Sequence, residues 1–398
     1  MSRRRRRIWI VLAIVLLVLL GTGGWLFHTL VWSPEQAMRQ AEAFLLRRLT
    51  VAQVAGPNRY RFFYATNRRA DGDAVDLTAR FGSERHAGLS FGHFDTTIEP
   101  TLGVGAIINP AEWFQNEEIR LHAVTGLNRA AFTAQLRQLV EASPSRALLV
   151  VLHGFREAFP SALRKTAYLG HVLDINAPTL LFDWPGNQGS SLRGYRRANA
   201  VAKASGAELA ALLQLIIGEI RPERLWLVAN SMGAQVVADA FTLLYQDPAL
   251  ADPQAEFEDV VLTAPDVSHE DFDRQFKREI AALTRHLTVY VSSNDRALLM
   301  SRIINRERRR GESTLSPQQL EEAYKIADMV DPDSELVTLV DVTAVNRTRN
   351  FHNFSLESPE YFDDLFARLT NPATPRSRRL YRIRTPEGAD YWVLTRGR

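Results

Sequence analysis

The chain is predicted to be an α/β protein built on one mostly parallel sheet with helices on both faces. Three observations point there. From residue 147 onward, short runs rich in Val and Leu alternate with amphipathic stretches of helical length. One run, Leu225–Ala229, passes straight into a helical pattern through Asn230-Ser231-Met232-Gly233, with no Pro and no polar cluster between them. Another, Ala147–Leu152, ends on His153-Gly154-Phe155. The alternation sets the layers, and the two sharp corners put polar residues at strand ends.

The 398 residues suffice for one large domain with attachments, and an apolar fraction of 46% with 23% charged residues is ordinary for a globular protein. There is no cysteine, which excludes disulfides, thiolate metal sites, a Cys nucleophile and a lipid anchor on Cys. The net charge of +3 is unevenly spread: residues 1–32 carry five Arg and no acid, and the last 28 carry seven Arg against Glu387 and Asp390. The body, residues 33–370, has 36 basic against 43 acidic residues. An acidic body argues against nucleic acid as a partner.

In chain order, Arg3–Arg7 form a basic tail (residues 1–7) before Ile8–Phe27, in which Thr22 is the only polar residue. Twenty helical residues rise about 30 Å, the thickness of a bilayer's hydrocarbon core. Trp25 and Trp32 fall where an interfacial aromatic belt would lie. Residues 8–32 therefore read as a transmembrane signal anchor, with a cytoplasmic N-terminus and the remainder translocated. A cleavable signal peptide is the competing reading, but Gly21-Thr22-Gly23-Gly24 offers no A-x-A-like site. Ser33-Pro34-Glu35 opens a helical linker over 33–59.

The domain proper is expected over 60–370. Tyr60–Arg68, Gly88–Ile98 and Ile119–Val124 read as strands at the antiparallel start of a mixed sheet, and 129–142 as an amphipathic helix. Parallel strands follow at Ala147–Leu152, Thr179–Phe182, Leu225–Ala229, Val260–Thr263, Leu287–Val291 and Leu336–Val340. Helices are expected near 160–173, 195–220, 231–246, 269–283, 316–328 and 358–369. Two stretches break the rhythm: the Gly-rich loop Gly186–Gly194 and a charged insertion over 302–335. The extension 371–398 reads as a hairpin at the domain edge.

A strand that turns directly into a helix with Ser at the corner is the nucleophile elbow, in which the tight turn lifts the hydroxyl above the sheet. Ala229 stands where the G-x-S-x-G pattern has its first Gly, while Gly233 keeps the facing backbone free of a Cβ. The alternative is a Ser that caps a helix. An H-G pair ending an earlier strand lets the next amide join the amide after the nucleophile in an oxyanion hole, so the donors would be Phe155 and Met232. His153, Gly154, Asn230 and Trp184 would border bound substrate, with core packing an equal option for Trp184. The acid and base of such a triad follow the Ser in the chain. After Ser231 come His269, His286 and His352. His286 precedes a strand at the far end of the sheet, and His269 comes too early to follow an acid, which leaves His352 in N-F-H-N-F. Two acids compete for the third place, Asp295 in S-S-N-D-R and Asp266 in A-P-D-V, each past the end of a strand.

The segments F-Y-A-T-N-R, L-V-V-L-H-G-F, F-D-W-P-G, N-S-M-G-A, A-P-D-V, Y-V-S-S-N-D-R-A-L and H-N-F occur in this order. In this the chain resembles a bacterial α/β-hydrolase family of unknown function, whose members are commonly described as esterase/lipase-superfamily proteins. The likeness spans roughly residues 60–370. It implies the α/β-hydrolase fold and a Ser231–Asp295–His352 triad, and it supplies no substrate. Members more often carry His where this chain has Asn230.

Together these readings predict a membrane-anchored serine hydrolase acting on a small-molecule or lipid ester, without metal or organic cofactor. It would sit in the bacterial inner membrane with its domain on the periplasmic side. Amide or peptide hydrolysis by the same triad, and a non-catalytic binding protein of the cell envelope, are the alternatives. No G-x-G-x-x-G follows the first parallel strand, which argues against a dinucleotide site. The run Arg306–Arg310 could meet anionic headgroups or be a solvated insertion.

Overall fold

A computed structural model describes residues 15–22, 48–70, 80–99, 119–247, 256–267, 277–292, 337–346, 354–370, 380–384 and 390–395. Its strands are β1 (Arg59–Ala70), β2 (Phe81–Ile98), β3 (Ile119–Leu127), β4 (Ala147–Leu152), β5 (Thr179–Asp183) and β6 (Arg224–Asn230), then β7 (Phe257–Thr263), β8 (Thr284–Val291), β9 (Val337–Asp341), β10 (Leu380–Arg384) and β11 (Asp390–Leu394). The helices are α1 (Arg129–Ala142), α2 (Phe159–Leu173), α3 (Leu192–Leu215), α4 (Gly233–Tyr245), α5 (Lys277–Leu283), α6 (Phe354–Glu357) and α7 (Pro359–Thr370).

The strands form one sheet in the order β10-β11-β9-β8-β7-β6-β4-β5-β1-β2-β3. From β1 through β9 and on to β11 every pairing is parallel, while β2, β3 and β10 are added antiparallel. This is the α/β-hydrolase arrangement, a mostly parallel sheet with helices on both faces. β4 and β6 are buried on both faces, as apolar runs without alternation require. One face is covered by α3 and α4 around Trp184, Leu209, Met232 and Phe241. The other carries α2 and α7 around Phe159, Tyr168, Trp226 and Tyr361.

Several boundaries differ from expectation for physical reasons. β1 runs past Arg68 to Ala70, because Thr66 and Arg68 stay paired with β2 across a register shift at Asn67, and all three side chains are buried. β2 begins at Phe81, with register shifts where it passes Arg68. α4 starts at Gly233 because Ser231 leaves helical geometry with a φ of 52°. His286 lies inside β8, opposite Asp259, at the amino end of the sheet. α3 is prolonged by a π turn over Ile216–Ile220, and the combined helix is apolar and long enough to cross a membrane. Its buried residues pack against the sheet, so it serves as the core helix of this domain. Val15–Thr22 are helical with exposed Val and Leu side chains. The helix expected near 316–328, the linker helix, the Arg306–Arg310 run and the first part of the 269–283 helix lie outside the described residues.

Candidate active site

Ser231 lies between β6 and α4 with its backbone in the left-handed region, which costs a non-Gly residue on the order of 1–2 kcal/mol. Three hydrogen bonds hold it there. Its N–H donates to the Thr263 carbonyl at 2.9 Å, and its own carbonyl accepts from the N–H groups of Ala234 at 3.0 Å and Asp266 at 3.1 Å. The strain is thus carried by the end of β7 as well as by α4. Ala229, fully buried, pairs with Leu152 and Leu262 as ordinary extended strand, so its methyl fits the core and no Gly is required there.

The two glycines at the corner answer to close approaches. A Cβ on Gly233 would come within 2.6 Å of the His153 carbonyl, and one on Gly154 within 2.9 Å of Ser231 Cβ. The ends of β4 and β6 are therefore in backbone contact, and Phe155 and Met232 follow directly on each side. Among the described residues neither of those two amides donates to a protein acceptor. Neighbouring amides do, Arg156 to the Gly186 carbonyl at 2.9 Å and Gln235 to the Met232 carbonyl at 3.1 Å. Two free N–H groups beside a serine hydroxyl can stabilise negative charge on a bound oxygen.

His153 is a buried scaffold residue. Its Nδ1 lies 2.9 Å from the Gly154 carbonyl and its Nε2 2.9 Å from Asp183 Oδ1. Trp184 packs flat on it, with ring centroids 5.6 Å apart and planes 8° from parallel. The Trp184 indole N–H donates to the His153 carbonyl at 3.0 Å, and the side chain is fully buried. Trp184 therefore belongs to the core and is not a wall of the pocket mouth; its ring is spent supporting the histidine.

Beneath this pair lies a network that sequence reading missed. Arg68 and Asp183, both fully buried, form a bidentate pair with Nε–Oδ2 at 2.7 Å and Nη2–Oδ1 at 3.0 Å. Arg68 also donates to the carbonyls of Gly82, Glu157 and Trp184, each at 2.8 Å, and to Asn187 Oδ1 at 2.6 Å. One guanidinium thus ties β1 to the hairpin and to the loops after β4 and β5. Burial pushes the Asp183 carboxyl up, but the charge of Arg68 and the hydrogen bond from His153 outweigh it and hold the group below its usual value. The signal that could have found the network is a lone charge closing an otherwise apolar run: Arg68 after F-F-Y-A-T-N and Asp183 after T-L-L-F.

Of the candidate acids, Asp266 is buried and accepts a 2.6 Å hydrogen bond from the Tyr195 hydroxyl. Tyr195, another residue missed in the sequence, meets Phe155 edge-on at 5.6 Å. The structure thus brings Ser231, Asn230, Asp266, His153, Gly154, Phe155 and Met232 together at the carboxyl ends of β4, β6 and β7. Asp295 and His352 lie outside the described residues. Their described neighbours converge on the same edge: Asn346 Nδ2 donates to Ser292 Oγ at 2.8 Å, and the Ser355 hydroxyl donates to Asn230 Oδ1 at 3.4 Å. Among the described residues no group of three or more His, Asp or Glu could hold a metal ion.

The family described as "alpha/beta hydrolase of unknown function (DUF900)" matches residues 128–367, more than half of the chain. The chain belongs to this family. No functionally curated protein matches it. Solved structures with some likeness include a lidless α/β serine hydrolase from Xanthomonas campestris, at 16% identity and a TM-score of 0.32 over 57% of this chain and 84% of that one. A cold-adapted esterase from an Arctic intertidal metagenomic library has 11% identity and a TM-score of 0.34 over 80% and 97%. An esterase from Pyrococcus furiosus has 15% identity and a TM-score of 0.29 over 51% and 73%.

Proposed function

We propose that this α/β-hydrolase is a serine hydrolase of carboxylic esters, tethered to the bacterial inner membrane by residues 8–32 with the domain of residues 60–370 on the periplasmic side. The observation that carries the catalytic reading is Ser231 itself, a non-Gly residue pinned at positive φ on the strand-to-helix corner, beside two amides that donate to no acceptor among the described residues. Strain maintained by several hydrogen bonds at a buried corner is typical of a functional position.

In this mechanism Ser231 Oγ attacks the ester carbonyl carbon while His352 takes the hydroxyl proton. The carbonyl oxygen becomes an oxyanion held by the Phe155 and Met232 N–H groups. Its collapse breaks the bond to the alkoxy group, which leaves with the proton from His352. Water, deprotonated by His352, then releases the acid and restores Ser231. Each oxyanion donor lowers the barrier by about 3 kcal/mol. Asp295 would orient the imidazole. Two contacts support this arrangement: Ser355, three residues after His352, bonds to Asn230, and Ser292, three residues before Asp295, bonds to Asn346. Asp266 is the alternative acid, supported by its 3.1 Å backbone hydrogen bond to Ser231.

The tether is supported by the uncharged stretch Ile8–Phe27 behind five Arg, and by helical, exposed Val15–Leu20. The test uses the full chain in detergent. A fluorophosphonate probe should label the wild type, and Ser231→Ala should abolish labelling. Equal labelling of both would overturn the mechanism. Asn in place of the true triad acid should slow ester turnover by about 10⁴-fold, so comparing Asp295→Asn with Asp266→Asn assigns the acid.

A further inference from the structure

A cavity of about 50 Å³ opens beside the elbow, on the sheet face covered by α2 and α7 and opposite α4. Its walls come from the ends of β4 and β6, including Gly154 and Asn230, and from Thr166 and Leu169 of α2 and Leu356 of α6. Gly154 is shared with the catalytic corner: a Cβ built on it would stand 3.5 Å from Ser231 Oγ. The cavity therefore begins one residue's width from the hydroxyl. Met232 and the rest of the apolar core fill the other face of the sheet.

We propose that this cavity is the acyl pocket of the site and restricts the substrate to esters of short-chain carboxylic acids. The inference rests on the serine hydrolase reading above and adds the substrate class to it. Two observations set the length. A dry apolar cavity of about 150 Å³ holds a benzene ring, so one of this size holds about two to three carbon atoms. Its wall also carries Lys165 and Glu157, which pair with each other, and Ser161 Oγ donates to Glu157 at 2.7 Å. Glu157 also holds Arg68 through its carbonyl at 2.8 Å. A longer chain would have to displace an ion pair built into the scaffold and leave its charges against hydrocarbon. The apolar wall of Leu169, Val228 and Leu356 suits the first carbons of an acyl chain, and the ion pair stops it there.

The test combines fluorophosphonate labelling with kcat/KM for p-nitrophenyl esters from acetate to octanoate, using the full chain. The wild type should favour acetate and propionate over octanoate by at least about 100-fold, within the range that methylene discrimination in a hydrophobic pocket reaches. Thr166→Leu, which fills the cavity, should lower turnover of propionate and butyrate about tenfold while labelling persists. Leu356→Ala, on a partly exposed residue that can be shortened with little risk to folding, should raise hexanoate turnover about tenfold. Labelling by the probe with octanoate used as well as acetate, or with a chain-length profile unmoved by both variants, would overturn the pocket and leave the hydrolase reading standing. An unlabelled wild type would remove both.

Discussion

The two ends of the sheet bury carboxylates in opposite ways. At the carboxyl end, Asp183 is fully enclosed but meets Arg68 through two hydrogen bonds, with His153 and Thr66 completing its shell. Its carboxyl is held below the usual range. At the amino end, Asp259 is 1% exposed and its Oδ2 has no hydrogen-bond partner among the described residues, while His286 Nδ1 stands 3.8 Å from Oδ1. Burial dominates there and pushes the carboxyl up to about 7, despite the nearby charges of Arg368 and Arg224. Neighbouring Glu258 takes the hydrogen bonds instead, from Arg224 and from the Trp226 indole. Burial by itself therefore does not decide the state of a carboxylate; full donor satisfaction does, and it is found at the end that shapes the site.

The largest effect is expected from breaking the satisfied end. Arg68→Met leaves Asp183 buried without its cation and should lower unfolding free energy by about 3–5 kcal/mol in urea titrations. Replacing both partners by apolar residues, Arg68→Met with Asp183→Leu, should recover much of that loss, because no buried charge is then left unpaired. A single variant as stable as the wild type would show that the pair contributes nothing. The pH dependence has a definite sign. A depressed folded-state value means that the Asp183 contribution is present above the unfolded value of 3.8 and is lost as pH falls through the lower folded value.

The opposite end should show the opposite sign. With a folded-state value near 7 against 3.8 unfolded, Asp259 holds a proton in the folded chain that the unfolded chain has lost across that window. Stability then falls as pH rises from about 4 to about 7, by on the order of 1 kcal/mol per pH unit, and levels off above. Asp259→Asn removes the titration. The stability of the variant relative to the wild type should climb through the same window and flatten beyond it. A difference that does not vary with pH would show that Asp259 ionises in the folded chain as it does in the unfolded one.

The contrast also marks what could be read from the sequence. The central strands were legible because a strand buried on both faces needs an unbroken apolar run, as in Leu148–Leu152 and Leu225–Ala229. The elbow and the H-G turn were legible because a tight corner restricts residue type over a few consecutive positions. Arg68, Asp183 and His153 were not, since their partnership joins three strand ends 115 and 30 residues apart and no local pattern announces it. Trp184 could have been wall or core, and only the flat packing on His153 decides that it is core. The start of β2 and the burial of Thr66–Arg68 depend on pairing across a hairpin, which periodicity does not reveal.

A finer difference can be probed within the carboxyl end itself. Asp183 is held by a charged partner, whereas Asp266 accepts its 2.6 Å hydrogen bond from the neutral Tyr195 hydroxyl. A neutral donor contributes about half as much as a charged one, so Tyr195→Phe should destabilise by only about 1 kcal/mol. Its ring would still pack on Phe155, so the oxyanion amide should keep its place and fluorophosphonate labelling should fall less than about threefold. If Asp266 were the triad acid, the loss of the Tyr195 hydroxyl would also alter how it orients the imidazole, and the acid limb of the pH–rate profile would shift with it. An unmoved profile in Tyr195→Phe, together with a slowed Asp295→Asn, would separate the residue that braces the elbow from the one that directs the base.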